Sequence, residues 1–357
     1  MEPPSPRPKP RAGRWLLTLL RIAAVAAALI ALGRLVSAHD FARARALVVQ
    51  VGWSFAFVLI PTLVAMALDA VGWKRILRTL GHVVPWRRML ELRLAVEALV
   101  LSLPGGSVAG EAAKIALLGT RAGVPATHGA ASLALTKACL TVTDALYLAL
   151  AAAWATADRL AGGSVIASWP AQVAVGGAVF TGVVGVALFA MLRDASMATR
   201  LVGHVRRLPI ARLRRWLDAR HDQVRELDES VNGFFTAPLL VRLGCIIPFG
   251  LEWLVEGAET AIILHLLHVP LGVGGILLLD GVGSLLRAMA FFVPAGLGVQ
   301  DAAMLVLLRA LGVADPAAAG TALIVIKRTK EVFWVVAGSL FWAGTRDQWR
   351  RSIDRAL

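Results

Sequence analysis

Glu252, Glu256 and Glu259 stand at positions i, i+4 and i+7 of one apolar stretch, so on a helix the three carboxyl groups share a face. Left unneutralised in hydrocarbon they would be costly, so cations must meet them or protons must bind them. Cations are available in a later apolar run, where Lys327, Arg328, Lys330 and Glu331 cluster. Glu111 and Lys114, three apart, share a face just after a Pro/Gly break. Lys137 and Asp144, seven apart, share a face of the next long apolar run, while Arg287 and Asp301 flank a second Pro/Gly break. Together these residues could line a polar cavity whose acids meet an amine and whose lysines and arginines meet a phosphate. Unpaired amides at the helix start beside Lys114 would also suit a phosphate. The same set admits a structural reading: Glu111 answers a helix dipole and pairs with Lys114, Asp144 pairs with Lys137 or with another helix, and the stripe forms an ion-pair network with the last span.

Other chemistry is not indicated. The chain has no C-x-x-C, H-E-x-x-H, Walker or G-x-S-x-G pattern, so no catalytic residue, cofactor or metal site is expected. The seven histidines are scattered; His265 and His268 share a face without a further convincing ligand. Cys139 and Cys245 lie inside apolar runs, as inert buried thiols do.

The elements that must position these charges follow from composition. The 357 residues are 58% hydrophobic and 17% charged, and apolar runs long enough to cross a bilayer recur. The formal charge of +14 would suit nucleic-acid binding only on a basic soluble face. Of the 37 cations 31 are Arg, mostly placed between apolar runs as on a cytoplasmic membrane face, so nucleic acid is not an expected partner. Residues 1–14 read as a disordered basic tail and 346–357 as a second basic tail, both cytoplasmic. Between them, 15–345 reads as a transmembrane domain containing a basic amphipathic cytoplasmic segment at 193–237. Full spans are expected at about 15–37, 46–70, 128–156, 169–192, 239–268 and 317–344. Residues 74–93, with Arg87, Arg88 and Arg93, read as cytoplasmic, and 38–45 as an outer loop. The short apolar segments 94–103 and 111–120, and likewise 271–293 and 301–311, flank breaks and read as re-entrant hairpins. The fold class is thus an all-α polytopic membrane protein of six spans and two oppositely oriented hairpins.

The two breaks repeat. Setting Pro104 on Pro294 aligns LPGGSVAGEAAKIALLGTRAG with VPAGLGVQDAAMLVLLRALG, matching Gly106 with Gly296, Glu111 with Asp301, and Gly123 with Gly312 after one gap. Gly105 and Gly298 complete the break motifs. Three spans lie between the breaks, so the repeats are inverted, the arrangement that marks a transport site near the bilayer midplane. Glu97 falls opposite Arg287 at the same offset, which predicts an ion pair across the pseudo-two-fold axis.

At PGGSVAGE (104–111) and PAGLGVQD (294–301), within this pattern of spans, the chain resembles the transmembrane region of the lysylphosphatidylglycerol synthase family, also described as flippase-like. The resemblance covers about 15–345 and implies a multi-pass protein of a bacterial inner membrane that moves a polar-headgroup lipid, such as an aminoacylated phospholipid, between leaflets. The chain ends soon after its last span, so the family's C-terminal aminoacyltransferase domain is not expected. The resemblance equally admits a hopanoid-associated relative, a non-catalytic partner of a lipid-biosynthesis enzyme. A polytopic transferase using Glu252, Glu256 and Glu259 as acid/base groups is the enzymatic alternative. With no ATPase motif, a lipid, proton or ion gradient, or simple exchange, would set direction.

Overall fold

The computed structural model describes residues 38–102, 106–160, 168–194, 196, 199–200, 202–203, 221–289 and 298–353. The described residues hold helices and no strand: α1 (Ala38–Val51), a 3-10 turn (Gly52–Ser54), α2 (Phe55–Thr79), α3 (Trp86–Ser102), α4 (Gly106–Ala122) and α5 (Ala126–Leu160). Then follow α6 (Ser168–Arg193), α7 (His221–Thr236), α8 (Leu239–Leu266), α9 (Val273–Met289), α10 (Val299–Ala310) and α11 (Pro316–Ile353). The stretch Ala42–Thr79, α5 and α6 are long and apolar enough to cross a membrane, and α7 with α8 makes a fourth candidate bent by 100°. Pro238 sets that bend, because the residue before proline is driven out of helical geometry.

The distribution of polarity is that of a membrane protein. On α6, Val175, Val179, Phe180, Val183 and Val186 all point outward and are more than half exposed. Asp69, Lys114, Glu259, Asp280 and Asp301 are instead buried. Water would favour the opposite arrangement, whereas lipid rewards an apolar rim around internally paired charge. The protein is therefore a multi-pass membrane protein.

The repeat is visible as an order of elements. α3, α4 and α5 have 17, 17 and 35 residues; α9, α10 and α11 have 17, 12 and 38. Each second helix ends on a left-handed glycine, Gly123 (φ 68°) or Gly312 (φ 78°), a conformation that a Cβ disfavours. The chain can then turn at once into the long third helix. At the Pro104/Pro294 offset, α2 falls on α8 and Asp69 on Glu259. These two helices pack closely, with the Phe249 ring lying where a Cβ on Gly72 would sit.

Several boundaries differ from expectation. Residues 38–45 are helical, not a loop: the Ala/Arg-rich run has no breaker, and Arg43 bonds Asp315 at 2.9 Å. α3 begins at Trp86, so Arg87, Arg88 and Arg93 belong to the same helix as the apolar segment 94–102. α11 continues through most of the expected basic tail to Ile353. The expected span at 15–37 and the segment 204–220 lie outside the described residues, as do Pro104, Gly105, Pro294 and Gly296.

Candidate functional site

The carboxyl stripe of α8 faces a cavity of about 90 Å³. Helical spacing alone brings Glu252, Glu256 and Glu259 to that face. α2 contributes Thr62, Ala65 and Met66, and α3 contributes Arg93, Glu97 and Leu101. From the second half come Asp280 and Arg287 of α9, Gln300 of α10, and Lys327, Lys330, Glu331 and Trp334 of α11. Both halves thus line one polar space, and helices beside both breaks reach it.

Direct pairs organise most of its charge. Arg93 Nε lies 2.5 Å from Asp69 Oδ2, and Arg93 also bonds Glu97 one turn along α3. Lys330 Nζ lies 2.5 Å from Glu259 Oε1, whose other oxygen accepts a hydrogen bond from Thr62 Oγ1 at 2.6 Å. Asp280 accepts from Thr260 Oγ1 at 2.9 Å and from the Tyr147 hydroxyl at 3.3 Å. Lys327 Nζ approaches Asp280 at 3.7 Å and donates to Thr260 Oγ1 at 3.1 Å. A buried charge survives only with such partners, because losing one leaves the other desolvated and unpaired.

Glu252, Glu256 and Arg287 stand apart from this network, making no direct ion pair among the described residues. Glu252 is buried and its Oε2 has no hydrogen-bond partner. Arg287 is the cation whose field acts most strongly on Glu256. The expected Glu97–Arg287 pair does not form: both line the cavity, but Glu97 is taken by Arg93. Arg93 sits one turn before Glu97 on the same helix, closer than any residue across the axis.

The other expected residues lie elsewhere. Glu111 bonds Lys137 and approaches Lys114 at 3.7 Å, while Lys114 lies 5.5 Å from the centre of the Trp73 ring. Lys137 therefore pairs with Glu111, not with Asp144. Asp144 lines a separate lateral pocket with Phe180, Trp253 and Ser284, and its Oδ1 has no hydrogen-bond partner. α4 starts at Gly106, which puts Glu111 in its second turn, where the dipole reading no longer holds. Asp301 is the acid that caps: it accepts from the Gly298 amide at 2.9 Å and also from Arg328 at 2.7 Å. Each post-break acid thus bonds a cation on the long helix that follows.

Asp69, Arg93 and Asp280 were missed as site residues. Asp69 and Asp280 each carried a signal, a single acid inside an apolar helical run. Arg93 carried none, because it continues a cluster that reads as cytoplasmic.

No curated protein and no solved structure matches the chain. A family model, "Lysylphosphatidylglycerol synthase TM region", matches residues 18–330. An apolar-rimmed bundle with paired charge inside, covered over most of its length by that match, belongs to the lysylphosphatidylglycerol synthase transmembrane-region family.

Proposed function

We propose that the protein exchanges a polar-headgroup lipid between leaflets, without changing it chemically. In this reading six spans and two oppositely entering hairpins cross or enter a bacterial cell membrane, with both termini cytoplasmic. The headgroup passes through the cavity while the acyl chains stay in lipid. Arg287 and Lys330 would take the phosphate, and Glu252 or Glu256 would take an amine where the headgroup has one. A phospholipid headgroup resists entering hydrocarbon because it loses its hydration. Fixed charges replace part of that hydration and so lower the barrier without an energy source. The observation that carries the reading is one charged cavity, lined from both repeats, inside a bundle whose outer surface is apolar.

Reconstitution in vesicles with fluorescent NBD-labelled phospholipid tests it. Dithionite bleaches only the outer leaflet, so transbilayer movement appears as loss of the protected fraction. The expected result is movement well above that of protein-free vesicles, with the extracted lipid unchanged by mass spectrometry. A new lipid species would favour a transferase instead. Neither movement nor conversion would favour a partner of a lipid-synthesis enzyme.

A further inference from the structure

The charges lining the cavity do not balance. Six carboxyl groups face it (Glu97, Glu252, Glu256, Glu259, Asp280, Glu331) against four cations. Three of those cations are engaged: Arg93 with Glu97 and Asp69, Lys330 with Glu259, and Lys327 with Asp280. Glu331 is bonded by Arg328 at 2.6 Å. Among the described residues, that leaves Arg287 as the lining cation without a direct ion pair, and Glu252 and Glu256 as the carboxyl groups without one. A second observation singles out Glu252, which lines this space, has a residue exposure of 9%, and whose buried Oε2 has no hydrogen-bond partner among the described residues.

We infer that the Glu252–Glu256 pair holds an exchangeable proton, and that anionic lipid and proton cross together. The inference rests on the lipid-exchange reading of the same cavity. Two carboxyl groups one helical turn apart, neither in a direct ion pair, disfavour each other's charge and take up a single proton once the cations beside them are drawn away. The charged groups around Glu252 are Asp69 on α2, Arg93 on α3, Lys114 on α4 and its own neighbour Glu256. Around Glu256 stand Arg287 and Asp280 on α9, Lys330 on α11, Asp144 on α5 and its own neighbour Glu259. Arg93 and Lys114 thus stand near Glu252 but are bonded or close to other acids, and the balance at Glu256 turns on Arg287 and Lys330.

A lipid phosphate bound to those two cations would withdraw them from the carboxylates. The pair then takes a proton from water on that side, forming an O–H bond on one carboxyl oxygen of the Glu252–Glu256 pair. When the phosphate leaves on the other side, the cations return to the acids, the O–H bond breaks and the proton passes to water there. One proton accompanies each anionic headgroup, and no redox partner is needed.

The test uses vesicles containing NBD-labelled phosphatidylglycerol in both leaflets, the full chain, and an imposed pH gradient. Coupled movement enriches the label in the leaflet facing the alkaline side, beyond protein-free controls, by up to about tenfold per pH unit. If label equilibrates through the protein with no response to the gradient, the inference fails and the exchange reading stands. If a sodium gradient drives the same enrichment in place of a pH gradient, the inference also fails.

A second measurement needs no lipid movement. Adding short-chain dihexanoyl phosphatidylglycerol to the detergent-solubilised protein in weak buffer should draw about one proton per bound headgroup, and E252Q should lose that uptake. Equal uptake by wild type and E252Q, or none by either, overturns the proton site. Proton uptake in wild type without any lipid movement in vesicles would keep the proton site and sink the exchange reading.

Discussion

Apart from Asp144 in the lateral pocket, the acids of the first half of the molecule, α2 to α5, that lie in or beside the cavity are paired directly, whereas the second half leaves two carboxyl groups of the cavity without a direct cation among the described residues. Asp69 and Glu97 share Arg93, and Glu111 bonds Lys137 with Lys114 beside it. In the second half, α8 to α11, Glu259, Asp280 and Asp301 have cations, yet Glu252 and Glu256 on α8 have no direct one. The halves repeat the same helix order and the same left-handed glycines, so a common frame does not dictate a common charge pattern. The repeat supplies the space between α2, α3, α8 and α11. In the proposed exchange, the unequal pairing marks the α8 wall of that space as the one that takes up a ligand.

Removing a cation should separate the halves most strongly. Arg93→Ala leaves Asp69 and Glu97 without their direct cation, and the loss should be about 3–5 kcal/mol. Thermal unfolding in detergent reads it, and a variant as stable as wild type would break the claim that the first half is held by this triad. Lys330→Ala should cost less, about 1.5–3 kcal/mol, because Glu259 keeps its hydrogen bond from Thr62 and the field of Lys327. Glu252→Gln should have the opposite sign or none. It removes a carboxyl group that no cation pairs directly, so stability should hold or rise by about 1 kcal/mol. Marked destabilisation by Glu252→Gln would show that the second half pairs its acids as the first does.

Much of the frame was legible because it rests on local rules. The expected spans 128–156 and 169–192 correspond to Ala126–Leu160 and Ser168–Arg193, long apolar runs with turn residues at their ends. Gly123 and Gly312 aligned in the sequence and share the left-handed conformation that stops a helix. The stripe of α8 was legible because helical spacing alone determines which residues share a face. Pair partners were not legible, because they depend on how helices distant in sequence pack. Lys137 turned to Glu111 on α4 instead of Asp144 on its own helix, and Glu97 was already held by Arg93. Arg93 was hidden for a simpler reason: a helix that continues out of a basic cluster carries its last arginine into the interior.

The smallest expected effect lies in the turn between α2 and α3. His82 Nε2 lies 2.5 Å from His128 Nδ1, and His128 lies 3.7 Å from Glu226 of α7. Burial, and then the charge of His128, hold His82 below its ordinary value of 6.5. The unfolded chain therefore binds the extra proton more readily, so stability from this group is complete above 6.5 and is lost as pH falls below it. His82→Gln should flatten the melting temperature against pH in that acid range. An unchanged slope would remove this turn from the pH response.

The central claim is that the shared cavity is the path of the headgroup. Leu101 lines it from α3, and Leu101→Trp should narrow it without touching a charged group. In the dithionite assay, with melting temperature checked in parallel, this variant should slow transbilayer movement of NBD-phosphatidylglycerol at least about tenfold, or about 1.4 kcal/mol in barrier. A folded Leu101→Trp protein that moves lipid at the wild-type rate would contradict the account.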